Sequence, residues 1–327
     1  MSSPWHIFTG VSEPHSAAFP AAPPWRRFSE HGSPASSSEV PAASAGAIHT
    51  ARTYRTAPAI LDAINAALIL RRPLLVTGPP GSGKSSLIQR VAYELQLGQV
   101  LVWPVNSRST LKEGLYDYDA IGRLHDHSLE AGQRKNVSHY LRLRALGTAL
   151  LPAARPRAIL IDELDKADPD LPNDLLNIFE EGWYEIPELQ RHGEANVSVR
   201  TADVALVTDT TSRKAEIQNG RVQCTEFPFV VLTSNGEREF PAAFLRRCIR
   251  IDLLAPDAQQ MMDIVQSHLG AELMAKAKDQ IADFLASDKG PAATDQLLNS
   301  LYIVHEVGGL SDAQVASVHA TLTRPLD

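Results

Sequence analysis

The stretch 78–85 combines glycines, a lysine and a serine at a spacing that suits phosphate binding. The glycines allow backbone N–H groups to approach phosphate oxygens closely, and a helix that begins behind them adds the positive end of its dipole. Lys84 is placed to reach β- and γ-phosphates, and the Ser85 hydroxyl to bind Mg²⁺. We therefore predict a nucleoside triphosphate site that also includes the next residue, Ser86. The residues fit G-x-x-x-x-G-K-[ST] at every fixed position: Gly78, Pro79, Pro80, Gly81, Ser82, Gly83, Lys84 and Ser85.

Two adjacent carboxylates, Asp162 and Glu163, follow a second apolar run at 158–161. In open α/β sheets ligands collect at the carboxyl ends of the strands, which is where both motifs fall. Asp162 is then expected to face the Mg²⁺ held by Ser85. Glu163 is expected to face a water placed on the γ-phosphate, as a general base. The pair extends the prediction from nucleotide binding to hydrolysis.

Five short apolar runs are the strands expected to position these residues. They alternate with helical patterns, which predicts an α/β fold with a central five-stranded parallel sheet. Between the third and fourth runs, residues 183–226 alternate polar and apolar side chains with turn signals at Gly193 and Asn219-Gly220, which predicts inserted β-hairpins. A helix is predicted over 138–151. The predicted strands are 74–77, 100–105, 158–161, 229–234 and 249–253.

The two ends of the chain differ from this central part in composition. Residues 1–50 are rich in Pro, Ala and Ser, with aromatic clusters at 5–8 and 25–28. They are predicted either to dock their aromatics on a subunit, since exposed Trp needs a burial partner, or to be a flexible linker, which 33–46 resembles in composition. After Pro256 four helical patterns follow, at 258–269, 272–286, 293–307 and 311–323. We predict an N-terminal arm (1–50), a nucleotide-binding domain (51–255) and a C-terminal helical lid (256–327).

Bulk properties exclude several classes of protein. The chain has 327 residues and a net charge of −7, which argues against a nucleic-acid partner. Its two cysteines do not suggest a disulfide framework. No apolar run is long enough to span a membrane and no signal peptide is recognisable, so a cytoplasmic location is expected.

The order of these motifs resembles that of AAA+ ATPases, and the details resemble the MoxR-like branch. The resemblance covers about residues 50–320 and rests on Asp162-Glu163, a strand ending at Asn235, the sequence Phe244-Leu245-Arg246-Arg247, and Glu180-Glu181-Gly182 ahead of the hairpin-rich insert. It implies that 78–85 is Walker A, that Asp162-Glu163 is Walker B, and that Asn235 is sensor 1. Either Arg246 or Arg247 is then the arginine finger, which acts in the site of a neighbouring subunit. A finger supplied in trans requires a homo-oligomeric ring, with a hexamer as the expected form.

The same resemblance gives further expectations. ATP and Mg²⁺ are the expected cofactors, and protein remodelling with a partner that carries a von Willebrand factor A domain is the expected role. Tyr54 is expected either in the adenine pocket or in a plain helix-capping role. The segment 116–124 is either an insert that contacts a remodelled partner or a surface loop that packs its own aromatics. Sensor 2 arginine is missing, and Lys289 is the only basic residue available to replace it.

Two other functions remain open at this stage. One is a nucleic-acid motor or restriction-type AAA+ subunit, against which the acidic balance counts. The other is a nucleotide-gated assembly scaffold with weak hydrolysis, which the missing sensor 2 arginine favours and Glu163 opposes.

Overall fold

The structure is a computed structural model and describes residues 3–10, 13–16, 18–28, 40–129, 136–203, 213–270, 273–274, 277–286, 294–307 and 311–322. Lys289 and the first half of the predicted linker at 33–46 lie outside these residues. The described strands are β1 (Leu74–Thr77), β2 (Leu101–Pro104), β3 (Tyr116–Tyr118), β4 (Leu141–Leu143), β5 (Ala158–Asp162), β6 (Trp183–Glu185), β7 (Asn196–Arg200), β8 (Lys214–Gln218), β9 (Arg221–Gln223), β10 (Phe229–Ser234) and β11 (Ile249–Asp252). The described helices are α1 (Ala45–Thr53), α2 (Leu61–Leu70), α3 (Lys84–Glu94), α4 (Leu111–Leu115), α5 (Ala120–Leu129), α6 (Ala145–Ala149), α7 (Leu171–Glu181), α8 (Pro187–His192), α9 (Ala242–Leu245), α10 (Ala258–Leu269), α11 (Lys278–Ala286), α12 (Thr294–Val307) and α13 (Asp312–Leu322). No helix among the described residues has the length and apolar character needed to cross a membrane.

Five strands form a parallel sheet in the order β11-β1-β10-β5-β2. Successive side chains of a strand face opposite sides, so Leu74 and Val76 enter one apolar cluster and Leu75 enters the other. Both faces of the three central strands, β1, β10 and β5, are covered, which is why these strands are continuous apolar runs, whereas the edge strands β2 and β11 alternate buried or partly buried and exposed residues. The predicted α/β fold with a five-stranded parallel sheet is confirmed.

The strand register brings the carboxyl ends of the sheet together. Thr77 at the end of β1 pairs with Ser234 of β10 on one side and with Asp252 of β11 on the other. On the far side of the sheet Asp162 of β5 pairs with Pro104 of β2. The segments that follow β1, β5 and β10 therefore leave the sheet at one edge.

The insert forms a second sheet in the order β3-β4-β7-β8-β9-β6. It contains the predicted hairpins, since β7 pairs with β8 and β8 with β9 in antiparallel fashion. The predicted helix over 138–151 is wrong. A 3-10 turn at Val137–Tyr140 leads into β4, and only α6 is helical. Leu141 and Leu143 are buried while Arg142 between them is exposed, a period of two that pairing with β3 favours over a helix.

The described part of the N-terminal arm packs on the domain that contains the five-stranded sheet. Phe8 and Phe28 are buried in the two apolar clusters of the core sheet. The Asn65 side chain accepts from the backbone N–H groups of Ile7 and Phe8 at 2.8 and 2.9 Å and donates to the Phe8 carbonyl at 2.8 Å. The docking interpretation is thus correct for these residues, but its reason was not: the phenylalanines are buried, whereas Trp25 is 73% exposed.

The C-terminal part is helical, as predicted. Helices α10, α11 and α12 share an apolar cluster of their own, and α12 also packs against α13. Helix α1 was not predicted; it spans the expected boundary at residue 50 and packs against α3 and α10.

Candidate functional site

The glycine-rich loop links β1 to the N-terminus of α3. Gly78 and Gly83 have φ of 151° and 85°, values that L side chains rarely adopt. A Cβ at Gly78 would lie 2.3 Å from the Leu253 carbonyl oxygen, and one at Gly83 would lie 2.9 Å from the Tyr54 ring. The loop conformation therefore depends on glycine at both positions. Tyr54 packs against the base of the loop, and burial raises its pKa.

The Lys84 ammonium lies inside the loop. Its Nζ donates to the carbonyl oxygens of Gly78 and Pro79 at 2.7 and 2.9 Å and to Asn235 Oδ1 at 2.8 Å. Burial lowers the pKa of Lys84, although the carboxylates of Asp165, Asp162 and Glu163 act in the opposite direction. The strand-end asparagine after β10 and the loop lysine after β1 are thus in direct contact.

A hydroxyl–carboxylate cluster joins the ends of β5 and β10 to α3. Ser85 Oγ donates to Asp162 Oδ1 at 3.0 Å, and Thr233 Oγ1 donates to the same oxygen at 2.5 Å. Thr233 Oγ1 also accepts from the Glu163 N–H at 2.8 Å. Asp162 and Ser85 supply carboxylate and hydroxyl oxygens side by side, which is the donor set that Mg²⁺ prefers.

Glu163 occupies a strained backbone position. Its φ of 60° and ψ of 48° are left-handed, which for a residue with a side chain costs about 1–3 kcal/mol. The Glu163 carboxylate accepts from Lys166 Nζ at 2.7 Å, and this hydrogen bond is the main cause of a raised Lys166 pKa. The two neighbouring carboxylates therefore have different partners, Ser85 and Thr233 for Asp162 and Lys166 for Glu163.

Three residues of the site were missed by sequence reasoning. Thr233 bridges the two carboxylate-bearing positions, as described above. Asp165 is buried and accepts from the N–H groups of Asn235 and Glu237 at 2.8 and 3.2 Å, which fixes the turn after β10. Lys166 pairs with Glu163. Only the spacing of Asp165, three residues after Asp162, offered a signal, because a threonine in a strand and a lysine in a turn are common in proteins of every function.

The residues present suit a nucleoside triphosphate with a magnesium ion. The Ser82 hydroxyl is buried in the loop and has no hydrogen-bond partner among the described residues. The first N–H groups of α3 have no intrahelical acceptor, as at any helix start. A buried hydroxyl, free helix N–H groups and a lysine ammonium converge in the loop, which is the donor set for phosphate oxygens.

Arg246 and Arg247 lie at the opposite end of the sheet. They follow α9 and precede β11, whose first residue pairs with Leu74, the first residue of β1. The structure therefore brings Lys84, Ser85, Asp162, Glu163 and Asn235 together at the carboxyl edge and holds both arginines at the amino edge. Four residues of strand separate the two edges, roughly 13 Å.

A family model for the AAA domain, dynein-related subfamily, matches residues 73–248, which is more than half of the chain. The chain therefore belongs to this family and has the P-loop α/β fold of AAA+ proteins. Membership supports nucleotide-dependent ATPase activity in general. No curated protein matches the chain.

Proposed function

We propose that this chain is a Mg²⁺-dependent ATP hydrolase of MoxR-like type that works as a homo-oligomeric ring and uses hydrolysis to remodel or activate a protein partner. The observation that carries the proposal is the division of the catalytic groups between two ends of one sheet. The phosphate-binding loop and the carboxylates lie at the carboxyl edge, and the arginine pair lies at the amino edge. Such a division suits a site completed by a second subunit.

Each residue at the carboxyl edge has a separate task in this proposal. Lys84 and the loop N–H groups hold the phosphates, and Ser85 and Asp162 hold the magnesium ion, which neutralises charge that develops on the phosphate oxygens. Glu163 orients a water molecule and accepts its proton. Asn235, fixed by Asp165, positions the same water from the neighbouring strand.

The two arginines have different contacts, which supports a different role for each. Arg247 Nε donates to Glu180 Oε1 at 2.5 Å, and its NH1 donates to the Ala243 carbonyl at 3.1 Å. Arg246 is exposed, and among the described residues its guanidinium has no hydrogen bond or ion pair. A guanidinium that must reach a neighbour's γ-phosphate has to be free of partners in its own subunit. Arg246 is therefore the arginine finger, and Arg247 supports it.

Exposed apolar side chains on helix α5 favour an interaction with a partner protein. Ile121 and Leu124, one turn apart, are 81% and 72% exposed. Tyr116, by contrast, is buried with its hydroxyl on Glu188 Oε2 at 2.8 Å, so it packs within its own subunit. The contact surface of this segment is then the apolar side of α5, and a protein with a von Willebrand factor A domain remains the expected partner from the MoxR-like resemblance.

Phosphate release by the purified protein tests the proposal. Wild type should hydrolyse ATP with magnesium, and Glu163→Gln should bind ATP but lose hydrolysis. Arg246→Ala should lower the turnover by about 10³-fold, and mixed rings of the two variants should recover activity, because Glu163→Gln subunits supply Arg246 to the intact nucleotide sites of Arg246→Ala subunits. Mass measurements with and without ATP should show a nucleotide-dependent oligomer. If wild type and Glu163→Gln are equally inactive with and without partner, the protein is a scaffold and the hydrolase proposal is wrong.

A further inference from the structure

The N-terminal arm carries a buried arginine, Arg26, that joins two helix ends. Arg26 Nε and NH2 donate to the Arg71 carbonyl at 3.2 and 2.6 Å, and NH1 donates to the Phe179 carbonyl at 2.7 Å. Its guanidinium also stacks on the rings of Phe28 and Phe227, 4.8 and 4.9 Å from their centroids. The arm therefore links the C-terminus of α2 to the C-terminus of α7 through one side chain.

The same guanidinium is the first member of a charged row that reaches the arginine pair. Arg26 NH1 lies 3.6 Å from Glu180 Oε2, and the other oxygen of that carboxylate accepts from Arg247 Nε. Glu180 is the last but one residue of α7 and is 44% exposed. The Glu180 carboxylate thus contacts Arg26 of the arm with one oxygen and Arg247, the neighbour of the proposed finger, with the other.

A second contact fixes the backbone next to this row. Arg72 NH1 donates to the Arg246 carbonyl at 3.1 Å. The preceding Arg71 has a left-handed φ of 54°, and its NH2 donates to the Pro20 carbonyl of the arm at 3.0 Å. The arm therefore contacts both segments that hold the arginine pair: the end of α2, next to which Arg72 binds the Arg246 carbonyl, and the end of α7, where Glu180 binds the Arg247 side chain.

We propose that the N-terminal arm is a built-in support for the trans-acting arginine, with Arg26 and Glu180 as positioning residues that hold Arg247 and, next to it, Arg246. The inference rests on the proposed function, because it assumes that Arg246 acts in a neighbouring subunit. The physical reason is geometric: a charged group that stabilises a transition state acts only when held in place, and a displacement of about 1 Å can cost about 100-fold in rate. The arm restricts displacement of Arg246 in its own subunit and so influences catalysis in the nucleotide site of the neighbouring subunit.

The residue type and the burial of Arg26 agree with this positioning role. Arg26 uses three N–H donors in a fixed plane to reach two carbonyls, a pattern that a lysine ammonium on a flexible stem does not reproduce. An exposed ion pair would contribute little, but Arg26 is buried and also bonded to backbone groups that cannot move independently of α2 and α7.

Glu180→Ala is the main test variant, because Glu180 is half-exposed and the buried Arg26 guanidinium keeps its hydrogen bonds to the carbonyls of Arg71 and Phe179 when Glu180 is removed. Glu181→Ala, the exposed neighbour on the same turn, is the matched control. Glu180→Ala should lower kcat about tenfold, with the KM for ATP and the binding of a fluorescent ATP analogue unchanged, while Glu181→Ala keeps wild-type values. Arg26→Lys, with the exposed Arg27→Ala as its control, should give the same pattern.

Mixed rings separate a positioning role from a merely structural one. A Glu163→Gln subunit has an intact finger and no base, so it should restore turnover to Glu180→Ala subunits, whose own nucleotide site is intact. If Glu180→Ala keeps wild-type turnover, or loses it without recovery in mixed rings, the positioning role is wrong. Arg246→Ala distinguishes the two proposals: wild-type turnover in that variant refutes the trans arginine itself, whereas loss with recovery leaves only the role of the arm to be judged by Glu180→Ala.

Discussion

The two ends of the chain are attached to the nucleotide-binding domain in different ways. The described arm residues share the apolar clusters of the core sheet through Phe8 and Phe28, and they are held by buried polar side chains. The C-terminal helices instead form a cluster of their own and contact α1, where Ser267 Oγ donates to the Thr53 carbonyl at 3.1 Å. The N-terminal arm is therefore part of the domain core, whereas the C-terminal helices have a core of their own.

This difference predicts which end moves. A segment whose polar groups are satisfied by buried side chains of the domain opens only when the domain opens, whereas helices with their own core can rotate as a unit about a few contacts. We expect the arm to stay fixed through a catalytic cycle and the C-terminal helices to change position, as lids do around a bound substrate. The following predictions test each side of the comparison.

The largest effect is expected at Glu94, the buried anchor of the arm. Its Oε1 accepts from the N–H and hydroxyl of Thr9 at 2.7 and 2.8 Å, and its Oε2 accepts from the Gly10 N–H at 3.1 Å and from Arg90 NH2 at 3.2 Å. Glu94→Ala removes a buried hydrogen-bonded charge, which should lower the free energy of unfolding by about 4 kcal/mol. Chemical denaturation measures the loss, and trypsin cleavage at Arg26 reports release of the arm.

The exposed Glu13 is the control for this prediction. It accepts only from the Tyr93 hydroxyl, at 3.2 Å, among the contacts of the described residues. Glu13→Ala should change the free energy of unfolding by less than about 0.5 kcal/mol. Equal, small losses in both variants would mean that the arm is not part of the domain core.

The sequence predicted which residues meet at the carboxyl edge of the sheet far better than it predicted the arm. The proposed chemistry of Gly78–Ser85, Asp162 and Glu163 can be performed by only a few residue types, so their pattern is recognisable in one chain. The arm depends on Asn65 and Glu94, which lie on ordinary helices and whose partners are backbone groups more than fifty residues away in sequence. Nothing local in the sequence signals such contacts.

The error at 138–151 has a similar origin. Its leucines fit helical spacing as well as strand alternation, and the pairing of Leu143 with Tyr116 decides between them. Arg246 and Arg247 could not be told apart for the same reason: the distinction depends on Glu180, which precedes them by more than sixty residues. Long-range partners decided each case that local pattern left open.

An intermediate effect is expected when a substitution creates a cavity in the apolar cluster of the C-terminal helices. Leu297 on α12 is fully buried among Val265, Ile281 and Leu301. Leu297→Ala should lower the opening free energy of the C-terminal helices by about 3 kcal/mol, through lost burial and the cavity left behind. Hydrogen exchange should accelerate in α10, α11 and α12, while β1 and β10 keep their protection.

The exposed Asn299 on the same helix is the control, and Asn299→Ala should leave exchange in α10 and α11 unchanged. Acceleration in β1 and β10 equal to that in α10 would contradict the comparison, because it would mean that the C-terminal helices and the sheet open as one unit.

The smallest effect is expected where the C-terminal helices contact α1. The His268 ring of α10 meets the His49 ring of α1 edge to face, with centroids 5.7 Å apart. Burial, followed by repulsion from His49, lowers the pKa of His268 below its ordinary value of 6.5. A lowered pKa means that the contact favours the neutral ring, so its contribution is full above about pH 6.5 and is lost as the pH falls through the folded-state pKa.

Hydrogen exchange in α10, corrected for intrinsic rates, should therefore be faster at about pH 5.5 than at about pH 7.5, and His268→Gln should remove most of this difference because position 268 can then no longer be protonated. His305→Gln, an exposed histidine on α12, is the control and should leave the difference unchanged. If exchange in α10 still accelerates at low pH in His268→Gln, the pH dependence arises from a group other than His268. Loss of the difference only in His268→Gln would identify the α1–α10 contact as the weak connection about which the C-terminal helices move, in contrast to the arm, whose anchors are buried.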